Sequence, residues 1–277
     1  MKLAVEIITS IHFLFILFST LSLMLWVQEE FESILKRKKM VGLKFLQISL
    51  YKKVFENNNL KRESIFKTIV ASLRMLLTIL PIMLIPFSSE LSLYGNHFKL
   101  GLFDYSNSFL LFVFILIVNE LIRPLLTNDS AMSEKNILLI MIFLSSFLFI
   151  DKFYNFTEII EYQNTYTSFG IRKYLIYINP IGAIALFQII INEIDNPSDS
   201  FDIVKLSLIN CYLVLFIFCF LGGYSAPTFF DFENRSIMNA LVSIISFFSK
   251  YVFILVCIWV YRFVFVKRKK EIIFNEF

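Results

Sequence analysis

Long apolar stretches alternate with shorter polar connections along this 277-residue chain. Crossing the hydrocarbon core of a bilayer as a helix takes about 20 mostly apolar residues. The stretches have this length and lack the alternation of barrel strands, which favours a helical bundle over a β-barrel. We therefore predict an all-α, polytopic transmembrane helical bundle that forms a single integral membrane domain over 1–277. The seven predicted spans are 4–27, 66–87, 103–122, 137–154, 173–193, 203–224 and 238–264.

The connection between the first two predicted spans is basic and half-hydrophobic. Residues 36–62 hold nine Lys and Arg residues, and 41–56 also carries apolar side chains. This segment is too short and too charged to cross a bilayer, so we predict an amphipathic surface helix over 41–56. Its apolar side chains form two sectors, one with Leu43 and Leu46 and the other with Phe45 and Ile48. Two sectors indicate that the helix packs on the bundle with one side and makes a second contact with the other.

Basic residues predict the orientation in the membrane. The connections after the first and third spans and the basic tail 265–277 are rich in Lys and Arg, whereas the opposite loops are poor in charge. An odd number of spans, with the N-terminus outside and the C-terminus inside, satisfies this rule. The inside loop 193–202 is acidic, so a factor other than topology must explain its charge.

Ionisable residues inside apolar spans point to function, because burying a charge in hydrocarbon costs several kcal/mol. Glu193 ends the fifth span and Lys250 lies near the middle of the seventh. Together they suggest a polar pathway, although structural pairing is the default role for each. Glu120 and Arg123 are one turn apart and would pair with each other. Arg74, two turns into its span, would reach the inside surface.

Composition excludes several classes of site. The three cysteines lack CxxC spacing and there are only two histidines, so a metal or haem site built by this chain is not expected. The motifs of nucleotide-binding loops and zinc proteases are absent, and no nucleic-acid partner is expected. Phe occurs 34 times and Gly only 7 times. We interpret this excess as codon bias, with each Phe serving core or lipid contact.

Several short motifs occur in an order found in one known family. They are VGLKFLQ at 41–47 with KVFE at 53–56, the proline-marked stretch 73–87, KLGL at 99–102, the proline-to-glutamate stretch 180–193, NPSDSFD at 196–202, FLGG at 220–223, the Lys-to-Trp spacing of 250–259 and the basic run 267–271. In this order the chain resembles subunit 1 of respiratory NADH:ubiquinone oxidoreductase (complex I), in its mitochondrially encoded form. The resemblance extends over nearly the whole chain.

The resemblance implies a membrane subunit that forms part of the quinone-binding chamber and couples quinone reduction to proton translocation. Such a subunit has no stand-alone activity and binds no cofactor itself: ubiquinone is the substrate, and iron–sulfur clusters and flavin belong to partner subunits. Implied partners are the other membrane and peripheral subunits of complex I and the lipid bilayer. The implied location is the mitochondrial inner membrane, with the N-terminus on the intermembrane side and the C-terminus in the matrix.

The resemblance also implies roles for individual residues. It assigns the quinone chamber and its entrance to Phe45, Leu46, Gln47, Asp199 and Asp202, and a proton pathway to Glu193, Lys250 and Glu134.

Departures from the family leave alternatives open. The last span of the family is missing, so either a separate polypeptide supplies it or this copy is reduced. The long acidic loop of the family is also absent, which favours a structural or assembly subunit of an organellar respiratory complex, similar to oxidase subunit III and without quinone contact. The predicted surface helix argues against that reading. A transporter permease is a further alternative, but no internal repeat supports it.

Overall fold

Helices dominate the described part of the chain. The computed structural model describes residues 15–24, 26–27, 65–85, 91–93, 96–98, 107–126, 130–150, 153–165, 172–195, 202–225, 236–261 and 264. The helices are α1 (Phe15–Met24), α2 (Ile65–Ile82), α3 (Ser108–Ile122), α4 (Ser130–Ile150), α5 (Phe156–Asn164), α6 (Leu175–Ile178), α7 (Pro180–Asp195), α8 (Asp202–Phe220) and α9 (Ser236–Tyr261). A 3₁₀ turn, Arg123–Leu125, follows α3.

A short β-hairpin interrupts the helical order. Strand β1 (Leu91–Leu93) pairs antiparallel with β2 (Asn96–Phe98), with Ser92 opposite His97. The sequence predicted only a connection here. Each strand is only three residues long, and all the other elements of the described residues are helical. The prediction of a helical bundle is therefore confirmed for the described residues.

Each of the seven predicted spans contains a helix, but the helices differ in length. Three are long and apolar enough to cross a membrane, namely Ser108–Leu125, Ser130–Ile150 and Leu241–Tyr261. Shorter apolar helices occupy Phe15–Met24, Ile69–Ile82 and Val204–Phe220. The chain therefore has helices compatible with a membrane protein, while the surface helix 41–56 and the tail 265–277 lie outside the described residues.

The fifth predicted span is divided into α6 and α7 at Asn179. Proline at the next position has no N–H to donate, and it is well suited to the first position of a helix. The side-chain oxygen of Asn179 accepts a hydrogen bond from the backbone N–H of Gly182 at 2.9 Å. Asn179 therefore caps α7, and residues 173–193 do not form one continuous helix.

Helix α7 lies very close to α4 where Gly182 faces it. A Cβ atom at this position would collide with Ser146 Oγ and would lie 2.8 Å from Asn179 Nδ2. The Asn179 amide also donates to Ser146 Oγ at 2.9 Å. A small residue on α7 and a hydroxyl on α4 thus allow the two helices to make the most extensive helix pair of the bundle.

Helix α8 is the centre of the bundle. Residues 207–220 are all buried, and α8 packs against α2, α5, α7 and α9. Its sequence is apolar around its whole circumference, as expected for a helix surrounded by other helices.

Phenylalanine fills the space between the helices. Phe109 lies 5.7 Å from Phe156 in an edge-to-face contact, and Phe147 lies 5.4 Å from Phe220 in another. Such contacts are favourable beyond the area they bury. Many of the phenylalanines therefore serve as core side chains, as the sequence analysis expected.

Four helix ends lie together on one side of the bundle. Lys205, at the start of α8, donates to the backbone carbonyl of Ile194 at the end of α7. Ser133, at the start of α4, donates to the backbone carbonyl of Glu120 at the end of α3. These four ends surround the site described next.

Candidate functional site

A cluster of charged side chains is buried where α3, α4, α7 and α8 meet. Arg123 donates to Glu193 through two nitrogens, Nη1 to Oε1 at 2.5 Å and Nη2 to Oε2 at 2.8 Å. Arg123 Nη1 also lies 3.0 Å from Glu120 Oε2. All three side chains have 0% exposure. One guanidinium therefore serves two carboxylates, and its bidentate contact is with Glu193.

Local sequence fixes Arg123 and Glu120 relative to each other. They are three residues apart, which places both side chains on the same side of the helix end. Pro124 cannot donate the backbone hydrogen bond that Glu120 O would receive in a continuing helix. That carbonyl instead accepts from the Arg123 N–H and from Ser133 Oγ. The end of α3 is thereby fastened to the first turn of α4.

Asn136 bridges the two carboxylates from α4. Its Nδ2 lies 2.6 Å from Glu193 Oε1 and 3.5 Å from Glu120 Oε2, the same two oxygens that Arg123 Nη1 contacts. Its Oδ1 accepts from Asn192 Nδ2 at 3.2 Å. Both bridging nitrogens, from Arg123 and Asn136, lie nearer to Glu193 than to Glu120.

The second oxygen of Glu120 has a partner of another kind. Tyr212, buried in α8, donates its hydroxyl hydrogen to Glu120 Oε1 over 3.2 Å. Glu120 is thus in contact with side chains from the 3₁₀ turn, α4 and α8.

A second guanidinium balances the charge of the cluster. Arg74 of α2 is 2% exposed, and its Nε donates to Asn119 Oδ1 at 3.0 Å. It lies close enough to Glu120 for their opposite charges to attract. With both carboxyls ionised, the formal charges of the two arginines and the two glutamates cancel. Neutrality matters because uncompensated buried charge is very costly.

A separate, half-buried contact holds Lys250. Its Nζ donates to Gly223 O at 2.9 Å and to Ser225 O at 2.7 Å, in the turn that follows α8. Gly222 and Gly223 both have positive φ, 71° and 53°, a conformation that glycine adopts readily. Lys250 thus joins α9 to the carbonyls that follow α8, whereas the cluster contacts α8 at Tyr212, near the middle of that helix.

Gln163 fastens the same turn from α5. Its Oε1 accepts from Gly222 N at 2.9 Å, and its Nε2 donates to Phe218 O at 3.0 Å. Helix α5 itself begins with a capping box formed by Asn155 and Glu158. We did not predict α5, although the Asn-x-x-Glu spacing was a sequence signal for it.

The predicted site residues are placed as follows. Glu193 lies at the centre of the cluster, and Lys250 lies in the separate turn contact. Glu134 is exposed in the first turn of α4. Phe45, Leu46, Gln47 and Asp199 lie outside the described residues, and for Asp202 the structure describes only the backbone at the start of α8. The structure therefore does not bring Glu193 and Lys250 into one contact.

Sequence reasoning missed most of the cluster. Glu120 and Arg123 were expected only to pair with each other, and Arg74 was expected to reach the surface. Asn136 and Tyr212 carried no signal, because their role depends on which helices are neighbours. A glutamate and an arginine three residues apart at the end of an apolar span were the best available signal.

Comparisons with other proteins and a search for metal ligands identify no further site. No protein-family model and no curated protein sequence matches the chain. Within the described ranges, no group of three or more His, Cys, Asp or Glu side chains could hold a metal ion.

Proposed function

We propose that the chain is a membrane subunit of a respiratory NADH:quinone oxidoreductase, of the subunit 1 type that its motif order resembles. In this proposal the chain forms part of the quinone chamber and couples quinone reduction to proton translocation. The observation that supports this most is the buried cluster in which Arg123 serves both Glu120 and Glu193. A purely structural bundle gains little from such a cluster, since apolar packing is often as stable.

Two further observations support the resemblance. The proline-to-glutamate stretch 180–193 is a single helix, and its terminal Glu193 lies in the cluster. The FLGG segment 220–223 and the Lys250 segment, matched to the family separately, touch through the Lys250–Gly223 hydrogen bond. Two of the segments matched to the family are thus in contact.

The cluster suits charge coupling for a physical reason. Reducing a quinone adds electrons to its head group and must be accompanied by protons. A new charge shifts the pKa of nearby carboxyl groups, so they take up or release protons. In a cluster of interacting groups, a change in the protonation of one group shifts the pKa of its neighbours in turn. We place Phe45, Leu46, Gln47, Asp199 and Asp202 at the chamber, next to the end of the bundle where Glu193 lies. Electrons reach the quinone from iron–sulfur and flavin groups in partner subunits.

The wider arrangement is part of the same proposal. We propose about seven spans, the N-terminus on the intermembrane side and the C-terminus on the matrix side of the mitochondrial inner membrane. The cluster is then near the matrix side, where the predicted surface helix 41–56 and the loop 193–202 also lie.

The test is purification of the intact assembly through a tag on this chain. We expect iron–sulfur subunits to co-purify and the assembly to reduce ubiquinone with NADH. Glu193→Gln should lower that rate strongly while the subunits stay assembled, because it removes one of the two coupled carboxylate charges of the cluster. Glu161→Gln, at an exposed position of α5, is the matched control and should behave as wild type.

Two results would contradict the proposal. The first is an assembly without NADH-dependent quinone reduction. The second is an assembled Glu193→Gln variant with wild-type turnover, which would indicate a structural or assembly subunit instead.

A further inference from the structure

The hydrogen-bond partners of Glu193 are all N–H donors. Its Oε1 accepts from Arg123 Nη1 and from Asn136 Nδ2, and its Oε2 accepts from Arg123 Nη2. A guanidinium and a side-chain amide nitrogen can only donate. A proton on either oxygen of Glu193 would point at N–H groups. The oxygen that carried it would then lose a short hydrogen bond from Arg123 or Asn136. None of these partners of Glu193 could therefore accept a hydrogen bond from it.

Glu120 has one partner that can reverse its role. Its Oε1 faces the hydroxyl of Tyr212, and a hydroxyl both donates and accepts. When Glu120 is ionised, Tyr212 donates to it. When Oε1 carries a proton, the new O–H donates to Tyr212 Oη after the hydroxyl rotates. Oε2 still accepts from Arg123 in either state.

We infer that Glu120 is the group of this cluster that gains and loses a proton, and that Glu193 is the neighbouring carboxylate that holds Arg123 in place. The step is a proton transfer alone: an incoming proton forms the O–H bond at Glu120 Oε1, and no electron moves. The formal charge of the cluster rises by one unit and returns when the proton leaves. Tyr212 is the positioning residue of the step. The inference rests on the proposed function. It assigns the proton that is taken up during coupling to Glu120, which the sequence analysis did not include in the proton pathway.

The charges around Glu120 are opposed, which suits a group that must change state. The titratable and charged groups that face it are Arg74 from α2, Arg123 from the 3₁₀ turn, Glu193 from α7 and Tyr212 from α8. The groups from α4 are uncharged: Asn136 contacts the carboxylate and Ser133 contacts the backbone carbonyl. The arginines oppose protonation of Glu120 and the neighbouring carboxylate favours it.

Infrared spectroscopy of the purified assembly tests this assignment. Lowering the pH should produce a carbonyl-stretch band of a protonated carboxyl group, and subtracting the Glu120→Gln spectrum from that of wild type isolates the band of this residue. Tyr212→Phe should retain the band but shift its position, because the hydrogen-bond partner is gone. Tyr251→Phe is the matched control: Tyr251 is also buried, and it donates to Asn210 at 2.6 Å. It should leave the band unchanged.

The outcomes separate the two proposals. A wild-type minus Glu120→Gln spectrum without a carboxyl band overturns the assignment, and so does a Tyr212→Phe spectrum identical to that of Tyr251→Phe. Tyr212→Phe keeps the volume of the side chain, so it still gives an answer if Glu120→Gln fails to assemble. The titration needs neither NADH nor quinone. A protein that shows the band but lacks quinone reduction contradicts only the proposed function.

Discussion

Arg123 and Glu193 form a bidentate ion pair between segments that are 70 residues apart in the chain. The two nitrogen–oxygen distances are 2.5 Å and 2.8 Å, and both side chains are fully buried. The pair fixes the end of α7 to the turn after α3. It also indicates which carboxylate Arg123 holds more closely, since Nη1 lies 2.5 Å from Glu193 and 3.0 Å from Glu120.

Removing Arg123 should destabilise the protein strongly. In Arg123→Ala two buried carboxylates lose their shared partner, and we expect a loss of about 3–5 kcal/mol in the free energy of unfolding. Arg123→Lys keeps the charge but cannot make the bidentate contact, so its loss should be smaller but clear. The measurement is unfolding of the purified assembly in detergent.

Lys135→Ala is the control for these variants. Lys135 is exposed at the start of α4, and its Nζ lies 3.3 Å from Asn192 Oδ1. Its removal should change the free energy of unfolding by less than about 0.5 kcal/mol. Equal effects of Arg123→Ala and Lys135→Ala would contradict the assigned role of the buried pair.

Asn136 should tolerate loss of its side chain better than gain of a charge. Asn136→Ala removes one donor to Glu193 and leaves Asn192 without an acceptor, which should cost about 1–3 kcal/mol. Asn136→Asp replaces the donor that faces Glu120 and Glu193 by a third carboxyl group, so it should cost more. Thermal unfolding of the two variants gives their order, and a more stable Asn136→Asp would contradict the geometry.

The helices of this fold were largely predictable, while their interruptions were not. Apolar length alone located a helix in every predicted span. The break at Asn179 was missed because a search for about 20 apolar residues passes over a single proline at position 180, although proline favours the start of a helix. The hairpin at 91–98 was missed because its strands are only three residues long.

A residue of the site could be predicted only where a charged side chain in or at the end of an apolar span made it unusual. Glu193 was found because a carboxylate at the end of an apolar span is rare. Tyr212 and Asn136 were missed because an ordinary polar residue becomes important through the neighbour it meets on another helix. Lys250 was unusual in the same way as Glu193, but its partners are backbone carbonyls, which the sequence does not reveal.

Gly182 should be intolerant of substitution because α4 is so close. Gly182→Ala places a methyl group against Ser146 Oγ and Asn179, and we expect a loss of about 1–3 kcal/mol. Adding Ser146→Ala removes the nearest of these atoms and should restore part of the stability. If the double variant is no more stable than Gly182→Ala, contact with Ser146 is not the cause.

Lys250 should contribute to stability through its two carbonyl partners. Lys250→Met retains much of the side-chain volume but leaves Gly223 O and Ser225 O without this donor, and we expect a loss of about 1–3 kcal/mol. Ser249→Ala is the neighbouring control, since Ser249 is exposed and bonds only to its own helix. Limited proteolysis should cut the Lys250→Met variant faster at the turn after α8, and equal rates for both variants would contradict the contact.

Proton translocation per NADH oxidised, measured on the purified assembly in sealed vesicles, tests the central role of the cluster most directly. We expect Glu120→Gln and Glu193→Gln each to lower this ratio substantially, and Glu161→Gln to leave it at the wild-type value. Both cluster variants translocating protons at the wild-type ratio, in assemblies that reduce quinone normally, would contradict a role for Glu120 and Glu193 in coupling.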